Sequence, residues 1–196
     1  MEGTPIQELT HPVTVSDVWM EAMIAGDEEK RRIWAKVLQR RGQIGHPYIF
    51  FSDTINRTTA DVYKDKGLRI HASNLCSEVL LPSNEQWSFV CDLSSMNILH
   101  FDQWKDTDAV ETLTFFLDAV MTDFIQKLEA LRDSDDMRKK QCFIFMERTY
   151  NFAVANRALG IGALGWHSYL QSHMIPFESL QAGKLNVAMF KNIKEK

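Results

Sequence analysis

Two short apolar strands set among long stretches of helical periodicity predict an α/β fold rich in helix. The strands are Pro47–Ser52 and Trp87–Leu93, both brief and aromatic, as buried strands are. The longest periodic stretch holds Val110, Leu113, Phe116, Leu117, Val120, Phe124, Leu128 and Leu131 on one face, about six turns of helix. Between the two strands lies Arg69–Pro82, which carries an amide, a thiol and a carboxylate at alternate positions.

The elements follow in order. Val15, Val18, Trp19, Ala22 and Met23 recur at helical spacing, with Ser16 placed to cap the start and Gly26 to end the helix. Asp27, Glu28 and Glu29 open a second helix with negative charge at its N-terminus. Its apolar face is Ile33, Trp34, Val37 and Leu38, and it closes at Arg40-Arg41-Gly42. A polar connection, Thr54 to Gly67, follows the first strand, and Ser94–Asn97 follows the second as a loop or tight helix start. Asp133–Asp136 ends the long helix in an acidic turn without the glycine and glutamate of a calcium loop. A further helix carries Leu164, Tyr169 and Leu170, and Pro176 separates it from a last helical pattern through Leu180, Met189 and Ile193.

With 196 residues, 45% hydrophobic and 24% charged, the chain has the composition of a globular domain or of part of a larger one. A net charge of −4 gives no general attraction to nucleic acid or an anionic membrane. No apolar run is long enough to span a bilayer, and Met1–Pro5 lacks the basic and apolar regions of a signal peptide. The expectation is a cytoplasmic protein with no nucleic-acid or membrane partner. Three cysteines, Cys76, Cys91 and Cys142, do not suit a disulfide framework. The acceptor pattern Asn56-Arg57-Thr58 is empty without secretion.

In an extended segment residues at i, i+2 and i+4 project together. Asn74, Cys76 and Glu78 would then share one surface, with Leu75 on the packed side. Flanking Leu and Val residues would desolvate Glu78 and raise its pKa. A cysteine nucleophile needs a histidine base and an oxyanion hole, and His71 would point away from Cys76 on a strand. A radical cysteine needs neither, only a base for a neighbouring hydroxyl and a group to hold the substrate, which Glu78 and Asn74 can supply. Zinc held by His71, Cys76 and Cys91 would lack a fourth ligand and the usual short spacing, so no metal site is expected. Cys142 sits in an apolar run and reads as inert packing. Gly160-Ile-Gly-Ala-Leu-Gly165 matches the dinucleotide fingerprint without the buried strand that should precede it, which favours glycines that permit close helix–strand packing.

Ser73-Asn-Leu-Cys-Ser-Glu-Val resembles the active-site loop of the large subunit of class I ribonucleotide reductase. Gly45–Asp53, Cys91–Asn97 and Arg157–Gly162 are similar to further blocks of that family, in the same order. The resemblance implies a partial ten-stranded α/β barrel with a central active-site loop, residues 1–196 being one segment of the catalytic domain. It implies that Cys76 carries a thiyl radical that takes the 3′ hydrogen of a ribonucleotide. Glu78 would be the base at the 3′ hydroxyl, Asn74 would hold the sugar, and Ser73, Asn74 and Glu78 would line the substrate. Cys91 would be one of two reducing thiols. The implied partners are a ribonucleoside diphosphate, a metal-containing small (beta) subunit that supplies the radical, a thioredoxin- or glutaredoxin-type dithiol reductant, other alpha-subunit fragments if the subunit is split, and a second alpha subunit.

The sequence also departs from the family pattern. No cysteine precedes Cys76, where the second reducing thiol should lie, and there is no room for the family's regulatory regions, phosphate loop or shuttle cysteines. The expectation is a middle piece of an alpha subunit, split or truncated, with apolar faces left uncovered. A non-catalytic remnant and an unrelated thiol enzyme using Cys76 stand as alternatives.

Overall fold

A computed structural model describes residues 12–196; Met1–Pro5, read above for a signal peptide, lies outside them. The chain divides into two compact units, one ending at Phe89 and the other starting at Val90.

The first unit begins with β1 (Val13–Val15), α1 (Asp17–Ala25), α2 (Glu28–Ile44) and β2 (Ile49–Phe51). Ser16 caps α1 by accepting from the Trp19 amide, and Gly26 ends it in the left-handed region at φ 115°. Val15 is not part of that helix. It pairs in parallel with Phe51, and the sheet buries Phe50 to 2% exposure. Helix α2 starts on an Asp27 cap and runs through Gly42 to Gly45. The reversal needs a positive φ, which Gly45 supplies at 76°. Its expected apolar face is only partly covered, with Ile33 41% and Leu38 48% exposed.

Two short helices, α3 (Ser52–Thr58) and α4 (Asp61–Asp65), replace the expected polar connection. Asn56 on α3 then pairs with Ile70 as a strand would. Its amide donates to the Ile70 carbonyl and its oxygen accepts from the Ile70 amide, both at 2.9 Å. Ile70 is thereby pinned in the core, and the chain continues to Phe89 without helix or strand.

The second unit runs β3 (Asp92–Asn97), a 3-10 turn (Ile98–His100), α5 (Phe101–Trp104), α6 (Ala109–Arg132), α7 (Met137–Asn156), β4 (Leu159–Leu164), α8 (Trp166–Ser172) and α9 (Leu180–Glu195). Strands β3 and β4 are parallel, in register from Asp92↔Leu159 to Asn97↔Leu164. A parallel pair needs a long crossover, and α6 supplies it by packing on both strands. The expected strand Trp87–Leu93 is therefore displaced. Residues 94–97, polar enough to read as a loop, form the ladder because β4 pairs with them, and their alternation buries Met96 while exposing Ser95.

Helix α6 buries Val110, Leu117, Met121 and Leu128, but Phe115 and Phe116 stand 68% and 62% exposed. Cys142 lies on α7 and is exposed, which corrects its reading as packed. Leu164 ends β4 and belongs to no helix. Ile98, Phe101, Tyr169 and Met189 form one cluster, and Leu170, Ile175 and Ala182 another. The described strands thus make two two-stranded parallel sheets and no closed barrel. No helix among these residues is long and apolar enough to cross a membrane.

Candidate active site

The segment carrying Asn74, Cys76 and Glu78 is a tight turn, not a strand. Alternation therefore does not hold there, and Leu75, expected on the packed side, is 62% exposed. The turn closes on itself through Asn74. The Asn74 amide donates to the Val79 carbonyl at 3.3 Å, and the Val79 amide donates back to Asn74 Oδ1 at 3.0 Å. Asn74 Nδ2 remains available and donates to Glu78 Oε1 at 2.6 Å. One asparagine side chain thus uses its acceptor to hold the backbone and its donor to hold the carboxylate.

The pair that alternation was expected to align is brought together by chain reversal. Cys76 lies at the tip and is exposed. Ser73 Oγ donates to the Asn74 carbonyl at 3.0 Å and lies 3.3 Å from Ser77 Oγ, fixing the base of the turn. Glu78 is exposed, so the desolvation expected from its apolar neighbours is not supplied by this segment. With no strand here, the argument that parity turns His71 away from Cys76 lapses; His71 is exposed as well.

Cys91 belongs to the second unit and immediately precedes β3. Its thiol is half-buried and lies 3.5 Å from the Asp92 carbonyl. Burial, with the Asp92 charge added, pushes the Cys91 thiol above its ordinary pKa. Asp92 Oδ2 is buried without a hydrogen-bond partner, and burial raises the pKa of its carboxyl as well.

Gly160 and Gly162 lie within β4 beside these residues. A Cβ on Gly160 would run into the Leu93 side chain and stand 3.6 Å from Cys91 Sγ; one on Gly162 would meet Ser95 Oγ at 2.9 Å. The glycine-rich run is therefore a strand kept bare to admit neighbouring side chains. The helix–strand packing expected of these two glycines is replaced by strand–strand packing, and the dinucleotide geometry, which needs a glycine turn into a helix, is not built by them.

Among the described residues no cluster of three or more His, Cys, Asp or Glu side chains is placed to hold a metal. Sequence reasoning missed two contributors. Asn56 was visible only as an empty glycosylation pattern, and nothing local marks its pairing with Ile70. Ser77 has φ 67°, a conformation that no signal in the sequence marked.

A family model described as ribonucleotide reductase, barrel domain, matches residues 14–196. A ribonucleoside-diphosphate reductase large subunit of Invertebrate iridescent virus 3 is 38% identical over 162 residues, 82% of this chain and 24% of the relative. A Frog virus 3 relative is 34% identical over 201 residues, 95% of this chain and 34% of its own length. Among solved structures, the Actinobacillus ureae class Id ribonucleotide reductase alpha subunit superposes with a TM-score of 0.83 at 50% identity, covering 100% of this chain and 35% of that one. The chain therefore spans about a third or less of the length of these relatives.

Proposed function

The chain belongs to the ribonucleotide reductase barrel-domain family, and from that premise we propose that it supplies the radical-cysteine loop of a class I reductase acting on ribonucleoside diphosphates. The observation that carries this reading is the turn itself: Cys76 exposed at the tip, between an asparagine and a glutamate joined at 2.6 Å.

Hydrogen-atom abstraction needs a thiyl radical on Cys76, generated from outside this segment by a metal-containing beta subunit. The Cys76 sulfur takes the 3′ hydrogen of the sugar. Glu78 accepts the 3′ hydroxyl proton, and Asn74, whose Nδ2 already orients Glu78, holds that hydroxyl in place. Ser73 lines the substrate beside them. The 2′ hydroxyl leaves as water after protonation, with two thiols oxidised to a disulfide. Cys91 is one of those thiols, and its raised pKa keeps its hydrogen in place until it is used. The disulfide is then reduced by a thioredoxin- or glutaredoxin-type dithiol, and the 3′ hydrogen returns from Cys76 to carbon. Net, a ribonucleoside diphosphate and a dithiol give a deoxyribonucleoside diphosphate, water and a disulfide.

Residues 1–196 act on this reading as one segment of a ten-stranded catalytic barrel, in an alpha homodimer located in the cytoplasm. The parts of the relatives that this sequence does not span are needed too, on the same polypeptide or on others. Exposed Phe115, Phe116 and Phe145 support the need for such neighbours.

The test is reconstitution: this chain with the remaining alpha-subunit segments, a radical-generating beta subunit, a dithiol reductant and a ribonucleoside diphosphate, scored for deoxyribonucleotide. Turnover is expected, and Cys76→Ser should reduce it to background. Stable assembly without turnover would overturn the reading and leave a non-catalytic relative.

A further inference from the structure

We propose that Ser77, between the exposed cysteine and the glutamate, is a positioning residue whose left-handed backbone holds Asn74, Cys76 and Glu78 in their reacting arrangement. The proposal rests on the reading of that turn as the radical-cysteine loop.

Ser77 has φ 67°, and the other non-glycine residues with positive φ among those described are Arg157 and Met174. Both of these follow helices, Arg157 as the cap of α7 and Met174 just beyond α8, where a left-handed residue is a common stop. Ser77 ends no helix, so its conformation serves the turn alone. The Ser77 amide donates to the Asn74 carbonyl at 3.2 Å, and the left-handed step that follows sends the chain back on itself. That reversal is what lets Asn74 meet Val79 through backbone and side chain, and what leaves Asn74 Nδ2 aimed at Glu78 Oε1. An extended residue at 77 would carry Val79 away from Asn74 and open all three bonds. Cys76 would stay exposed, but the base and the hydroxyl-holding amide would no longer flank it as a pair.

In the left-handed region the Cβ crowds the backbone. Glycine avoids this, asparagine tolerates it, and β-branched residues resist it most. The series Ser77→Gly, Asn, Ala and Val therefore separates backbone conformation from side-chain size, because Asn and Val are similar in bulk. In the reconstituted reductase, Ser77→Gly and Ser77→Asn should keep at least about half of the wild-type kcat. Ser77→Val should lose roughly tenfold or more, the population shift expected of backbone strain of this kind, and Ser77→Ala should fall between. A role limited to filling space or supporting stability would group Asn with Val.

A second measurement does not depend on turnover. In the 196-residue chain, exchange of the Val79 amide proton should quicken in the order Gly and Asn, Ala, Val. Wild-type kcat and unchanged Val79 exchange in Ser77→Val would overturn the proposal. So would an equal loss of kcat in all four variants, which would assign the role to the hydroxyl. Were the wild-type assembly to give no deoxyribonucleotide, the functional reading would fail, while the exchange series would still decide whether Ser77 sets the turn.

Discussion

The turn at Asn74–Val79 and the β3–β4 ladder both present a cysteine, and they are held in opposite ways. The turn is closed by polar atoms within six residues of sequence, four of its bonds using one asparagine. The ladder joins strands separated by two long helices, and half-buried Cys91 lies beside Gly160 of the partner strand. An exposed cysteine on a short polar loop suits a group that must meet substrate and accept a radical. A half-buried cysteine beside a packed sheet suits a group that must keep its hydrogen until it is needed. Two cysteines of one proposed reaction can thus be placed separately, one on a turn closed by local hydrogen bonds and the other by tertiary burial.

The largest expected effect breaks the ladder's end. Gly165 sits at φ 78° and leads into α8; a Cβ there would stand 2.6 Å from Asn97 Oδ1 and 3.2 Å from the Leu99 amide nitrogen. Asn97 cannot simply swing aside, because the same oxygen accepts from the Leu99 amide. Gly165→Ala should therefore destabilise the protein by about 2–4 kcal/mol, combining left-handed strain with overpacking. Urea denaturation checks this, and a loss below about 1 kcal/mol would mean the glycine is not structurally required.

The turn should respond differently. Asn74→Ala removes the acceptor for Val79 and the donor for Glu78 in an exposed setting, worth about 1 kcal/mol locally. Val79 amide exchange should quicken several-fold while the midpoint of global unfolding barely moves. A global loss as large as that of Gly165→Ala would erase the distinction between the two regions.

The smallest effect concerns Asp92. Burial holds its carboxyl above the ordinary value of 3.8 in the folded protein, so the folded state binds that proton more tightly than the unfolded one. Stability from this group is fully present below 3.8 and is lost as pH rises through the raised value. Compared with Asp92→Asn, the wild type should thus lose stability as pH climbs out of the acid range. Asp102 carries the opposite sign: Lys105, then Tyr169, hold its carboxyl below the ordinary value through hydrogen bonds. Its contribution appears above that value and is lost on acidification. Parallel melting curves of Asp92→Asn and Asp102→Asn across pH 3–7 should diverge from wild type in opposite directions; curves that move together would refute the burial of Asp92 as the cause.

What was legible in the sequence was local. Ser16 caps the helix it precedes because a side-chain oxygen near an unpaired amide needs no other part of the fold; Asp27, read as charge at a helix start, and Ser179, not read at all, cap theirs in the same way. Helix α6 and the acidic turn after it were readable for the same reason, although Phe116 and Val120 of its expected face stand exposed, and Asn74 and Glu78 do meet. Their actual geometry was not readable. Alternation presumes a strand, and a strand exists only where a partner offers a ladder. Residues 94–97, polar and loop-like by themselves, became a strand because β4 lies beside them, while the apolar Trp87–Val90 is neither helix nor strand. Short-range bonding was determined by the sequence alone. The register of the strands, the burial of Cys91 and the pairing of Asn56 with Ile70 were decided by tertiary structure, because each depends on atoms that the chain brings close only by folding.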